Sequence, residues 1–359
     1  MDLAWSSGPD IIGLHVGEPS FPTPAHVVRG AIDALKAGHT RYVPNAGIPA
    51  LREAIAAKVA SENGITADAA DVVVTAGGMQ ALSVAMLAIL RPGDEVLLPD
   101  PGWPNFAMAV QLLHGRPRGY RLLAENGFVP DIDELESLVT TRTRAIILNT
   151  PSNPLGTVLD ASVIQDVLAF ARRHGLWVIS DECYDAITFD APHISPASLD
   201  PDAQVVSCFS FSKTYSMTGM RVGYVVTPPG LGSVLAKMQE ATLSCINASA
   251  QFGALAALEG GRESVDHARS VYRDRRDEAC RTLERLGVTH LRPEGSFFLW
   301  VDVRDRTDSV HDYALRAVVD QRVAVAPGTA FGASGEGYVR LSLATETAQL
   351  IEGIERLFG

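Results

Sequence analysis

Cysteine is scarce, with four in 359 residues. Cys183, Cys208, Cys245 and Cys280 stand far apart with no C-x-x-C pair, which suggests neither a zinc site nor a disulfide framework and leaves buried free thiols. Long apolar runs are missing too. The longest stretches, such as MQALSVAMLAIL from Met79 to Leu90, fall short of a bilayer span, and no basic segment followed by an apolar one opens the chain, so it reads as cytoplasmic. Excess positive charge is absent: the net charge of −12 argues against a nucleic-acid or anionic-membrane surface, which needs clustered Lys and Arg. No H-E-x-x-H, G-x-S-x-G or G-x-x-x-x-G-K-[ST] pattern occurs, which removes the usual zinc-protease, hydrolase and nucleotide-hydrolysing readings. No internal repeat or low-complexity run is visible.

What is present is a globular composition, 47% hydrophobic and 20% charged, long enough for a full core and two domains. Apolar runs alternate with helical segments. DVVVTAGGMQALSVAMLAIL reads as a strand, two glycines and a buried helix; EVLLPDPGWPNF and AIILNT as strands ending in proline-rich loops; ASVIQDVLAFARRHG as a helix before the strand LWVISDECYDAITF. Alternation of this kind gives parallel strands. VVSCF and VGYVV are joined by too few residues for a crossover helix, so VGYVV runs antiparallel to VVSCF. The expectation is an α/β fold: a mixed, mainly parallel sheet with helices on both faces and ligand groups at the strand ends. A charged helical region from about Ser264 to Leu286 then leads to GSFFLWVDV, RVAVAPGTAF and GYVRLSLA, strands of a smaller α/β unit.

Three charged residues sit where apolar surroundings make charge costly. Lys213 follows VVSCF in SFSKTYSMTGMRVGY, at a strand end that reaches a cleft; desolvation or a nearby cation makes such an amine nucleophilic, and its most common covalent partner is the aldehyde of pyridoxal phosphate. Ser210 and Arg221 would then bracket the phosphate. Asp181 follows WVIS and is expected half-buried, needing a positive partner or serving as a helix cap. Arg340 lies inside the strand GYVRLSLA, where it needs either a structural ion pair or an anionic ligand such as a carboxylate. Gly77 and Gly78, lacking Cβ, let backbone N–H groups at a helix start approach a phosphate.

SFSKTYSMTGMR resembles the active-site lysine segment of the class I/II aminotransferases of fold type I, in which a serine three before and an arginine eight after the lysine bind the cofactor phosphate. Further motifs of that family follow in its order along nearly the whole chain. The resemblance implies a seven-stranded large domain, 26–265, binding pyridoxal 5'-phosphate, and a small α/β domain built from 1–25 and 266–359. It implies that Gly17, in GLHVGEPSFPTP, approaches the substrate carboxylate, although a tight turn would also call for glycine. His15 beside it either lines the pocket or packs the loop. The family's usual N-terminal arm is represented by only a short lead, which leaves the lid that arm forms unassigned.

The same resemblance assigns Trp103 to the face of the cofactor ring rather than to capping the core. It gives Asn153, in the N-P-x-G turn, and Tyr184 to the phenolic oxygen, Asp181 to the ring nitrogen, and Arg340, in R-L-S-L-A, to the substrate α-carboxylate. Tyr42 would reach across a homodimer interface to the partner's phosphate; a tyrosine before a helix is otherwise a packing residue. Glu182 caps or pairs structurally. Met79 joins the cofactor-binding set at the helix start, where acidic-substrate members of the family have lysine, so the side chain of the substrate is expected to be neutral or apolar. No metal is implied.

The implied activity is a ping-pong exchange of an amino group between an α-amino acid and a 2-oxo acid, with Lys213 and Asp181 as catalytic residues. A carbon–sulfur β-lyase on the same cofactor cage is the second reading. A cofactor-sensing regulator would need an added DNA-binding domain, for which no room is seen before Gly17.

Overall fold

A computed structural model describes residues 10–359. The small-domain assignment begins at residue 1, so its first nine positions lie outside the described residues. Strand β1 (Ile12–Gly13) is followed by the strands of the main sheet: β2 (Val72–Thr75), β3 (Glu95–Asp100), β4 (Arg116–Arg121), β5 (Thr143–Asn149), β6 (Trp177–Asp181), β7 (Val205–Ser210) and β8 (Gly223–Val226). They form one seven-stranded sheet in the order β2-β8-β7-β6-β5-β3-β4. β8 runs antiparallel to both neighbours while the other pairs are parallel, as the short connection after Lys213 requires.

The central strands are apolar throughout because helices cover both faces. Along β5, Ile147 joins the core built on Leu82, Met86 and Val206. Its neighbours Ile146 and Leu148 join a separate core with Val167, Phe170 and Val178. Each strand therefore feeds two cores with the period of two that a pleat imposes. Helix Ala161–His174, which packs on one of these faces, is fixed at both ends: Asp160 accepts from the Val163 N–H at 2.9 Å, a cap worth about 1 kcal/mol, and Gly175 takes the left-handed turn at φ 62°.

Two expectations about strand length are corrected. The run LWVISDECYDAITF is a strand only to Asp181. Beyond it Asp185 N–H donates to Glu182 and Ile187 N–H to Tyr184, while the side chains of Glu182 and Asp185 are drawn to His193 and Lys58. Turn bonds and buried charge pairs thus outcompete the ladder. RVAVAPGTAF divides into β11 (Val323–Ala324) and β12 (Ala326–Pro327), because β11 pairs in parallel with β1 and β12 pairs antiparallel with β13 (Tyr338–Ser342).

The second sheet has the order β12-β13-β10-β9, with β9 (His290–Leu291), β10 (Phe298–Asp302) and β13 (Tyr338–Ser342). Helix Glu263–Arg285 precedes it, within a residue of its expected limits. The register Ile12↔Val323 ties the start of the described chain to this C-terminal unit. As a result, the Gly17 loop is carried over the edge of the main sheet where β5, β6 and β7 end. No helix of the described residues is long and apolar enough to cross a membrane.

Candidate active site

The parallel strands end level with one another: Asn149 stands opposite Asp181, and Asp181 opposite Cys208. Above those ends lies a cavity of about 330 Å³ lined by Gly17, Trp103, Asn153, Asp181, Tyr184, Lys213 and Arg340, all predicted site residues, together with His15, Val16, Cys183 and Phe298. A larger cavity of about 430 Å³, lined by Leu87, Leu112 and Leu243 among others, contains none of the predicted residues.

Lys213 sits in a single helical turn, Phe211–Thr214, that the sequence pattern presents only as a turn. Ser210 caps it, accepting from the Ser212 N–H at 3.1 Å. The Lys213 ammonium donates to the Gly17 carbonyl at 2.6 Å and has no carboxylate within ion-pair distance among the described residues. Burial lowers its pKa, and Arg221 and Arg340 add to the effect against the opposing pull of Cys183 and Glu18. A half-buried amine of reduced basicity, held by a neutral carbonyl, is prepared to act as a nucleophile.

Asp181 is more deeply placed than the expected half-burial, at 3% exposure. Among the described residues its carboxylate accepts from the Cys183 N–H at 3.2 Å. Burial pushes its carboxyl up to about 6, and the neighbouring Glu182 carboxylate adds to the rise. No cationic side chain pairs with it among the described residues. Glu182 Oε2 is paired with His193 and Ser195, the structural role expected of it, while its Oε1 is enclosed without a partner among the described residues.

Arg340 is buried at 7% exposure. Nη1 donates to Asn153 Oδ1 at 2.8 Å and Nη2 to the His15 carbonyl at 2.7 Å, while Nε is enclosed without a partner. The guanidinium lies 4.0 Å from the Phe298 ring centre and 4.7 Å from that of Phe331. Desolvation lowers its pKa to about 10. The structural ion pair weighed above is not formed within the described residues, so this cation lacks the anion that burial calls for.

Gly77, Gly78, Ser210 and Arg221 come together as a cup. Gly77 has φ +77°, and a Cβ there would lie 2.5 Å from Arg221 Nη2. A Cβ on Gly78 would lie 2.7 Å from Cys183 Sγ and 3.4 Å from Ser210 Cβ. Arg221 donates to the Thr218 and Ala76 carbonyls at 2.9 and 3.1 Å, which aims its fork along the helix start. The cup, a buried carboxylate without a cationic partner among the described residues and an amine of reduced basicity fit the phosphate, ring nitrogen and aldehyde of pyridoxal phosphate.

The remaining predicted residues divide. Trp103 stands at the cavity wall, edge-on to Phe106 at 5.6 Å. Tyr184 is packed edge-on against Phe297 and Phe298. The Met79 side chain is not brought to the cavity: it packs on the core and meets Asn105 Nδ2 at 3.6 Å, leaving only its backbone beside the cup. Tyr42 is 89% exposed and does not line its own chain's cavity. Cys183 and Phe298 were not singled out from sequence. Cys183 looks like an ordinary buried thiol there, and Phe298 is one of two adjacent phenylalanines with nothing to say which faces the cleft.

A family model described as aminotransferase class I and II matches residues 9–357. The probable aspartate/prephenate aminotransferase of Aquifex aeolicus is 38% identical over 361 residues, covering 98% of this chain and 91% of that protein. The aspartate aminotransferase of Pyrococcus abyssi is 38% identical over 353 residues, covering 97% and 91%. Among solved structures, the aromatic aminotransferase of Pyrococcus horikoshii superposes with a TM-score of 0.94 at 38% identity, over 99% of this chain and 96% of that one. The aspartate aminotransferase of Thermus thermophilus with maleate gives 0.93 at 36% identity, over 97% and 91%.

Proposed function

The chain belongs to the class I and II aminotransferases, and from that premise we propose that it exchanges an amino group between an α-amino acid and a 2-oxo acid by a ping-pong route, using pyridoxal 5'-phosphate on Lys213. The observation that carries the reading is that Lys213, Asp181 and Arg340 border one cavity with no counter-ion supplied by the described residues.

When bound, pyridoxal phosphate supplies an aldehyde for amine exchange and a ring that accepts an electron pair from the substrate Cα. Gly77, Gly78, the Met79 backbone, Ser210 and Arg221 hold its phosphate. Asp181 keeps a proton on the ring nitrogen, Asn153 and Tyr184 hold the phenolic oxygen, and Trp103 walls one ring face. Arg340, with Gly17 beside it, grips the substrate α-carboxylate and so fixes which Cα bond stands next to Lys213 Nζ. That amine takes the Cα proton and returns a proton in the second half of the exchange.

In this reading the active unit is a cytoplasmic homodimer. Tyr42 of the partner subunit completes the phosphate site, which accords with its 89% exposure and with the exposed Leu112 and Leu243. Residues 26–265 form the large domain, and 1–25 with 266–359 the small one. Met79 in the place of a cationic residue leaves the side-chain pocket suited to neutral rather than dicarboxylic substrates.

The test is a donor panel with 2-oxoglutarate and pyruvate as acceptors. Parallel double-reciprocal lines, a borohydride-fixed pyridoxyl group on Lys213, and loss of both turnover and adduct in Lys213→Ala are expected. Retained turnover in that variant refutes the assignment, and pyruvate with ammonia formed in the absence of an acceptor points to β-elimination instead.

A further inference from the structure

Like Val16, Cys183 and Phe298, His15 borders the cavity and has no part in the exchange described above, but it alone of these four has side-chain nitrogens that are enclosed and unpaired among the described residues. In the segment Ile12–Gly17, Ile12 and Leu14 enter the core of the C-terminal unit, while the consecutive residues His15, Val16 and Gly17 border the cavity. The His15 carbonyl is pinned by Arg340 Nη2 at 2.7 Å, so the imidazole is rooted beside the guanidinium assigned to the α-carboxylate. Nδ1 and Nε2 are both enclosed, and neither has a hydrogen-bond partner. Enclosed, unpaired ring nitrogens are costly, and such a group is expected to be completed by something else.

What completes it follows from its charge. Burial, reinforced by the Arg340 cation, holds the imidazole below its ordinary pKa and therefore neutral, with one ring nitrogen donating and the other accepting. A carboxylate offers only acceptors, and a hydrocarbon offers neither. A carboxamide or hydroxyl offers both, and the aromatic walls Trp103 and Phe298 accommodate the apolar body of such a side chain.

Building on the aminotransferase reading, we infer that His15 is a specificity-determining residue that hydrogen-bonds the distal end of the substrate side chain and favours amino acids ending in a neutral carboxamide or hydroxyl over their apolar counterparts.

Matched donors test it: glutamine against methionine, and tyrosine against phenylalanine, in the pyridoxal-phosphate-loaded wild type, His15→Leu and His15→Asn. The polar-to-apolar ratio of kcat/KM in at least one pair should fall about 10–100-fold in His15→Leu, the range of a lost polar recognition contact. Methionine and phenylalanine turnover should stay within about threefold, and His15→Asn should recover part of the ratio. An unchanged ratio, an equal fall for all four donors, or a wild type that prefers aspartate to glutamine tenfold or more overturns the inference. Ring 15N spectra of His15 titrated with α-methyl-tyrosine and α-methyl-glutamine, which lack the Cα hydrogen, give a second readout: a shift of the ring signals supports the contact, and no shift with either opposes it. If no donor turns over at all, the transferase reading fails on its own and the spectra still decide the contact.

Discussion

Arg340 Nη1 donates to Asn153 Oδ1 at 2.8 Å, so the side chain assigned to the substrate carboxylate and the one assigned to the cofactor's phenolic oxygen are one hydrogen-bonded unit. Asn153 is itself anchored, its N–H donating to Asn149 Oδ1 at 2.7 Å at the end of β5. Strand geometry is thereby passed through two amides to the guanidinium.

Replacing the fork by a point charge should break that relay. Arg340→Lys is expected to lower kcat/KM for every donor about 100-fold or more, the scale of a charge-assisted bidentate contact, with cofactor still bound. Asn153→Ala should cost about tenfold, roughly one hydrogen bond, mainly in KM. Steady-state kinetics with absorbance of the bound cofactor checks both. Equal losses of cofactor and activity would show that the two residues serve folding rather than substrate.

Asp181 carries a pH signature. Its carboxyl, raised to about 6 by burial, keeps in the folded chain a proton that the unfolded chain releases near pH 4. The cofactor-free protein therefore has this contribution in full below about pH 4 and loses it as pH rises through about 6. Asp181→Asn should be more stable than the wild type at pH 7.5 without cofactor, by on the order of 2 kcal/mol, and no more stable at pH 4. Urea unfolding at the two pH values reads the difference. Added pyridoxal phosphate should reverse the order, because asparagine has no charge to offer a protonated ring.

The glycine cup gives a steric prediction. A Cβ at Gly77 or Gly78 would lie 2.5 Å from Arg221 Nη2 or 2.7 Å from Cys183 Sγ, whereas one at Gly13 would meet nothing closer than 3.7 Å. Gly77→Ala and Gly78→Ala should weaken pyridoxal-phosphate binding about tenfold or more, and Gly13→Ala should leave it unchanged. Equilibrium dialysis decides, and equal affinity for all three variants removes the cup from the phosphate site.

The shared-site homodimer predicts its own failure mode. Leu112 is 80% and Leu243 48% exposed, beside the 430 Å³ groove. Leu112→Glu with Leu243→Glu should give monomers by light scattering, with cofactor affinity falling as it does in Tyr42→Phe, about fivefold for one lost hydrogen bond. A fully active monomer would remove Tyr42 of the partner subunit from the site.

The order of elements, the antiparallel strand after Lys213 and the three charged residues of the site are legible in the amino-acid sequence, because hydrophobic period and glycine or proline punctuation are local properties; the ends of the strands at Asp181 and Ala324 are not, because turn bonds and pairing with other strands set them. Lys213, Asp181 and Arg340 stood out because charge beside apolar runs is costly wherever the chain goes. Folding decided what those charges meet. Among the described residues Asp181 meets no cation, Arg340 finds an amide and a carbonyl instead of an acid, Met79 turns into the core, and His15 is left with two unpaired nitrogens; the Arg340 contacts join residues more than 180 positions apart in the chain, which no local pattern encodes.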